Sequence, residues 1–259
     1  MSSTGAVSEP AQNRGSMAEV KVRPRKSPFS KGGSSLCRGH ILRSWREDMA
    51  EENLIKKISA LKSSNIRETV DERIREFKAL GRKGNKDWFS ELCFCILTAA
   101  STAKLGIKIQ NELGADGFLT LSYQKLISKL KSAGHRYCDQ RAERIVKARK
   151  FYNIKEIVTH FPDERSARAW LVENVDGTGY KEASHFLRNV GYSDVAILDR
   201  HILSLMRQYE LLEGTPKTLT KKKYLAAEEK LRKLSQKTDL SLAELDLYLW
   251  YIETGVVLK

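Results

Sequence analysis

The stretch Val175-Asp176-Gly177-Thr178-Gly179-Tyr180-Lys181-Glu182-Ala183-Ser184-His185-Phe186-Leu187 decides the fold. A helical pattern over 164–174 is broken by a tight glycine turn and a second helix starts at once, which makes residues of about 164–190 a helix-hairpin-helix. Gly177 and Gly179 permit backbone angles that would clash with a Cβ. The N–H groups of Gly177, Thr178 and Gly179 then meet at a helix N-terminus, a natural seat for a phosphate. Such a hairpin grips a DNA backbone without reading its sequence. From the two glycines alone, an ordinary helix-helix turn stays open as the other reading.

Lys181 falls in the first turn of the second helix, at the positive end of the helix dipole, where a cation is disfavoured. The same field favours the free amine, which is the nucleophilic form, although lysines also occur at helix starts without a role. Downstream, Val195-Ala196-Ile197-Leu198-Asp199-Arg200-His201-Ile202-Leu203 delivers an aspartate to the start of a further helix. A helix over 181–190 runs out about 14 Å. Gly191 can turn the chain, and eight extended steps cover up to about 26 Å, so Asp199 can return beside Lys181. There its carboxylate would stabilise positive charge developing on a sugar ring. A plain helix cap is the alternative role, and the two can coexist.

The rest of the chain suits an all-α protein that binds a polyanion. Its 259 residues carry 46 Lys and Arg against 32 Asp and Glu, a net charge of +14. No apolar run approaches the roughly 20 residues of a spanning helix. Cys37, Cys93, Cys95 and Cys138 form no CxxC pair and no cluster with metal-ligand spacing, so no metal is expected and a reducing, intracellular compartment fits. Residues 1–48 read as a basic extension without regular structure, with nine basic residues against Glu9 and Glu19 in 1–46. A DNA-binding arm, an organelle transit peptide, an inert tail and a misplaced start, with Met17 or Met49 as the true one, are its alternatives. Residues 49–259 form the folded domain, helical nearly throughout. Trp88 to Ala100 is apolar almost all round, hence the core helix. On the last helix Leu242, Leu245, Leu249 and Ile252 make the core stripe, and Trp250 points away from it.

The residues GTGYKEASHFLRNVGYSDVAILDRHIL (177–203), with WFSELCFCILTA (88–99), GHRYCDQRA (134–142) and ELDLYLWYIETGVVLK (244–259), strongly resemble the type-2, archaeal-type 8-oxoguanine DNA glycosylase/AP lyases of the helix-hairpin-helix glycosylase superfamily. The likeness covers roughly residues 50–259. It implies two helical subdomains flanking an active-site cleft, and a damaged guanine turned out of the duplex into that cleft. By this resemblance Lys181 is the Schiff-base nucleophile and Asp199 its partner. Trp250 is the candidate stacking platform, Lys259 with its carboxylate the candidate reader of the purine edge, and Tyr137 a candidate second wall of the pocket. The resemblance implies no cofactor, and the missing cysteine cluster separates the chain from the iron-sulfur glycosylases of the superfamily. The expected partner is double-stranded DNA containing 8-oxoguanine, bound by a monomer in the cytoplasm of an archaeon or bacterium, or in a eukaryotic nucleus or organelle. A catalytically silent hairpin DNA-binding module, a glycosylase for another damaged base and an RNA-binding helical protein are the alternatives. Packing offers a plainer role for Trp250 and Tyr137, and fraying for Lys259. His185 and His201 show no partner spacing for a metal or a triad, so structural or DNA-lining roles are expected. The run Lys221 to Lys223 reads equally as a phosphate contact or a solvated helix face.

Overall fold

An apolar helix with almost no polar face must be wrapped by others, and α3 (Asn85–Thr98) is buried along its whole length from Trp88 to Thr98. The computed structural model describes the backbone of residues 35–214 and 218–259, and side chains from residue 45 onward within those ranges. Among the described residues there are helices and no strands. In chain order the other helices are α1 (Ser35–Lys62), α2 (Ile66–Arg82), α4 (Ala103–Thr120), α5 (Tyr123–Ser132), α6 (Cys138–Ala148), α7 (Ile154–Thr159), α8 (Glu164–Asn174), α9 (Tyr180–Asn189), α10 (Arg200–Gln208), α11 (Lys221–Thr238) and α12 (Leu242–Thr254). A short 3-10 turn, Arg149–Phe151, follows α6.

Contacts divide the chain into Met1–Ile41 and Leu42–Lys259, and everything below lies in the second unit. Residues 35–48, expected to lack regular structure, are helical as the first half of α1. The reading of residues 1–34 lies outside the described residues.

Two apolar cores organise this unit. One gathers α3 to α9 around Phe89, Phe94, Phe118 and Phe186, and the other gathers Leu54 and Ile58 of α1 with α10, α11 and the Leu242, Leu245 and Leu249 stripe of α12. A smaller cluster joins Val70 and Phe77 of α2 to Leu247 and Tyr248 of α12. Each fully buried Leu, Ile or Phe contributes about 1.5–3 kcal/mol to holding these helices together. After α9 the chain returns to the second core within one residue step: Val195 belongs to the first core and Ala196 to the second. The hairpin α8–α9 therefore sits on one side of a boundary and α10 on the other.

Candidate active site

Gly177 stands at φ +79°, the left-handed region, and a Cβ there would lie 2.3 Å from Cδ of Arg144. It is the glycine the turn needs. Gly179 is different: at φ −91° and ψ −175° its backbone is extended, so the expected need for a special angle at 179 does not hold. The amides are also less free than expected. Thr178 donates its N–H to the Val175 carbonyl at 3.1 Å, and Gly179 donates to the Glu182 carboxylate at 3.2 Å. Glu182 thus caps α9, because a carboxylate at a helix N-terminus satisfies an amide that the helix leaves unpaired. The hydroxyl of Thr178 is buried and has no partner among the described residues.

Lys181 is the second residue of α9, its side chain a quarter exposed, with Nζ 3.8 Å from Glu182 Oε1. On the opposite side Asp199 caps α10. Its Oδ1 accepts from the N–H groups of His201 and Ile202, both at 2.9 Å, while Oδ2 receives no hydrogen bond among the described residues. The segment that delivers it, Val195 to Leu198, is neither helix nor strand, so its backbone needs other partners. Ala196 N–H donates to Glu228 Oε1 at 2.8 Å, and the Tyr224 hydroxyl donates to the Ala196 carbonyl at 2.6 Å and accepts from Leu198 N–H at 3.3 Å. Glu228 is itself pinned by Arg168 of α8 in a buried two-pronged pair, at 2.5 and 2.7 Å. One network therefore fixes Asp199 relative to the hairpin.

The charges of Lys181 and Asp199 are both felt at a third group. Burial pushes the Asp246 carboxyl up to about 6, the paired Arg188 guanidinium opposes the rise, the nearby Asp199 adds to it, and Lys181 opposes it. Asp246 lies on α12 one turn before Trp250, so these two share a face of that helix. Trp250 is half-buried. Its ring meets His201 edge-on at 5.1 Å, and its indole N–H is buried without a partner among the described residues. His201, whose N–H holds Asp199, thus also touches the candidate platform. Tyr137, before α6, is 39% exposed, which removes the packing role; Arg136 and Arg141 each approach its ring at 5.9 Å.

Lys259 is anchored rather than frayed. Its Nζ lies 2.5 Å from Glu91 Oε2, donates to Gln110 Oε1 at 2.7 Å and sits 4.5 Å from the centre of the Phe94 ring. His185 is buried, and burial followed by the Arg188, Lys181 and Lys259 cations holds its imidazole well below its ordinary value, hence neutral. The groups that sequence reading passed over are Glu91, Gln110, Arg188, Asn189 and Asp246. Glu91 left a signal: one acid in the middle of an apolar helix calls for a partner. Among the described residues no cluster of His, Cys, Asp or Glu could hold a metal ion, and no helix is long and apolar enough to cross a membrane.

Residues 70–240 match a family model described as 8-oxoguanine DNA glycosylase. A Methanocaldococcus jannaschii protein named 8-oxoguanine DNA glycosylase/AP lyase is 57% identical over 206 residues, 80% of this chain and 99% of its own length. A Thermotoga maritima protein of the same name is 44% identical over 210 residues, 80% of this chain and all of its own. The crystal structure of the Methanocaldococcus jannaschii 8-oxoguanine glycosylase/lyase in complex with 15mer DNA containing 8-oxoguanine superposes with a TM-score of 0.78 at 56% identity, covering 80% of this chain and 99% of that one. The Thermotoga maritima 8-oxoguanine DNA glycosylase structure gives 0.76 at 44% identity, over 81% of this chain and all of that one.

Proposed function

Since the chain belongs to the 8-oxoguanine DNA glycosylase family, we propose that it removes 8-oxoguanine from duplex DNA and then cuts the strand, with Lys181 as nucleophile and Asp199 as its assisting carboxylate. The observation that carries this reading is the pairing of a quarter-exposed Lys181 at one helix start with an Asp199 whose second oxygen is left over at another, both acting on the same buried carboxyl. A flipped nucleotide reaches both from one side. The free amine of Lys181 attacks C1′ of the sugar as the damaged base leaves, and Asp199 stabilises the positive charge that builds on the ring. Opening of the C1′–O4′ bond of that adduct, with a proton delivered to O4′ as it becomes the C4′ hydroxyl, gives a Schiff base, which acidifies the C2′ hydrogen; loss of that hydrogen as a proton then expels the 3′ phosphate by β-elimination.

The same reading uses Trp250 as the platform for the base, with Tyr137 as the other wall and Lys259 at the purine edge. Anchored on Glu91, the Lys259 ammonium is committed to the protein, which leaves its terminal carboxylate as the group to face a base. Gly177, Thr178 and Gly179 take the DNA backbone, where the Gly179 amide is reached by displacing Glu182. The protein acts as a monomer and its working compartment is the cytoplasm. Nothing in this scheme calls on a metal or redox group.

Borohydride reduction on a duplex holding 8-oxoguanine tests the mechanism, because a Schiff base is reduced to a covalent protein-DNA adduct. The expected result is an adduct with the wild-type chain and none with Lys181→Gln. An adduct that persists in Lys181→Gln assigns the nucleophile elsewhere, and no adduct with either leaves a DNA-binding hairpin without this chemistry.

A further inference from the structure

Lys181, His185 and Asn189 stand four residues apart along α9 and so form one stripe on that helix. Lys181 heads the stripe at the cleft. Below it, the backbone of Lys259 lies against the buried ring of His185. At the foot, Asn189 donates to Glu91 Oε1 at 2.6 Å, while the other oxygen of Glu91 meets the ammonium of Lys259 at 2.5 Å. The segment beyond Gly255, which turns the chain at φ +75°, is thereby fastened along the helix that presents the nucleophile.

The fastening leaves no freedom in the roles of its members. Glu91 is 1% exposed and also accepts from Gln110 Nε2 at 3.2 Å, and the opposite end of the same amide accepts from Lys259. Asn189 Oδ1 accepts from Arg188 at 2.8 and 3.0 Å, and Arg188 pairs with Asp246 of α12. The circuit closes through α12 itself. A buried ion pair is a poor means of stabilising a fold, since apolar residues of similar volume often do as well or better. What it supplies is a fixed position for both partners.

We propose that Glu91 is a positioning residue for base excision: by holding Lys259 it sets the segment beyond α12 against the floor of the cleft, where the base must be received. The inference rests on the glycosylase reading above. Its consequence is a split between the two reactions. Release of the damaged base needs the pocket that Glu91 holds in place, whereas cutting at an abasic site, which has no base to receive, needs only Lys181 and the hairpin.

The test compares single-turnover rates of the full chain on a duplex holding 8-oxoguanine and on one holding a preformed abasic site. In Glu91→Gln, base release is expected to fall by about tenfold or more while abasic-site cutting stays within about twofold. Lys259→Gln should also lower base release, and the double variant should release base no more slowly than the worse single one, because both act through one contact. Should Glu91→Gln fail to fold, Gln110→Leu, which removes a partner of both ions, should show the same selective loss at smaller size. Base release at the wild-type rate, or an equal loss on both substrates, overturns the role of Glu91. Wild-type protein inactive on both duplexes overturns the glycosylase reading instead.

Discussion

At Asp199 one oxygen caps a helix and the other receives no hydrogen bond among the described residues, and the cap and the proposed catalytic duty separate by substitution. Asparagine is about as good a helix cap as aspartate, so Asp199→Asn keeps α10 but removes the charge that would face the sugar. The expected outcome is unfolding and duplex binding close to wild type, with excision lowered about a hundredfold or more. Asp199→Ala loses the cap as well, so a further loss of about 1 kcal/mol of stability should show in denaturant unfolding. Unchanged excision in Asp199→Asn would return the residue to capping alone. The cap was legible in the sequence because it is a local matter, set by residue type and by the helix that follows. What holds Asp199 in space was not, since Glu228 and Tyr224 lie 32 and 28 residues from Ala196 and carry no local mark of the contact.

At the scale of the element, the hairpin depends on its two glycines unequally. At 177 any side chain must adopt the left-handed region, at about 1–2 kcal/mol, while the Arg144 side chain it would meet can swing aside. At 179 the backbone is ordinary and a Cβ would find only Glu182 Oε2, at 3.2 Å. Gly177→Ala is therefore expected to lower stability by about 1–2 kcal/mol and to weaken binding to lesion-free duplex, with Gly179→Ala within about 0.5 kcal/mol of wild type. Equal losses at both positions, measured by unfolding and by duplex titration, would contradict this. The helices of the hairpin were legible nearly to the residue, because a broken 3.6 period is a strong signal. The angle at each glycine was not, since a cap position and a left-handed turn both favour glycine. The six residues of α7 make too few turns to show a period in the sequence. Gly114, at φ +61°, kinks α4 near the point where its periodicity fades.

Across the whole molecule, hydrophobic spacing was enough to find the core helix and the stripe of α12, but not the buried polar pairs within and between the cores. Arg188 and Asp246 are 58 residues apart, Glu91 and Asn189 98. Each reads in sequence as one more charged or polar residue on a helix. Their burial has a measurable cost at Asp246, whose carboxyl is pushed from 3.8 up to about 6 chiefly by loss of water, against the pull of Arg188. A carboxyl raised in this way holds its proton more tightly in the folded chain than in the unfolded one. Its contribution to stability is therefore present below about pH 4 and is lost as the pH rises through about 6. Asp246→Asn has no proton to lose, so the wild-type stability minus that of the variant should fall between pH 4 and pH 7, by on the order of 3 kcal/mol for a rise of this size. Arg188 stays charged throughout, and the loss of its counter-charge in the variant adds only an offset that does not vary with pH. Urea unfolding of both proteins at half-unit steps across that range isolates the carboxyl from every other titrating group. A difference that stays flat would mean that Arg188, with Lys181 nearby, compensates the burial fully, and that the two cores are joined by an ordinary ion pair.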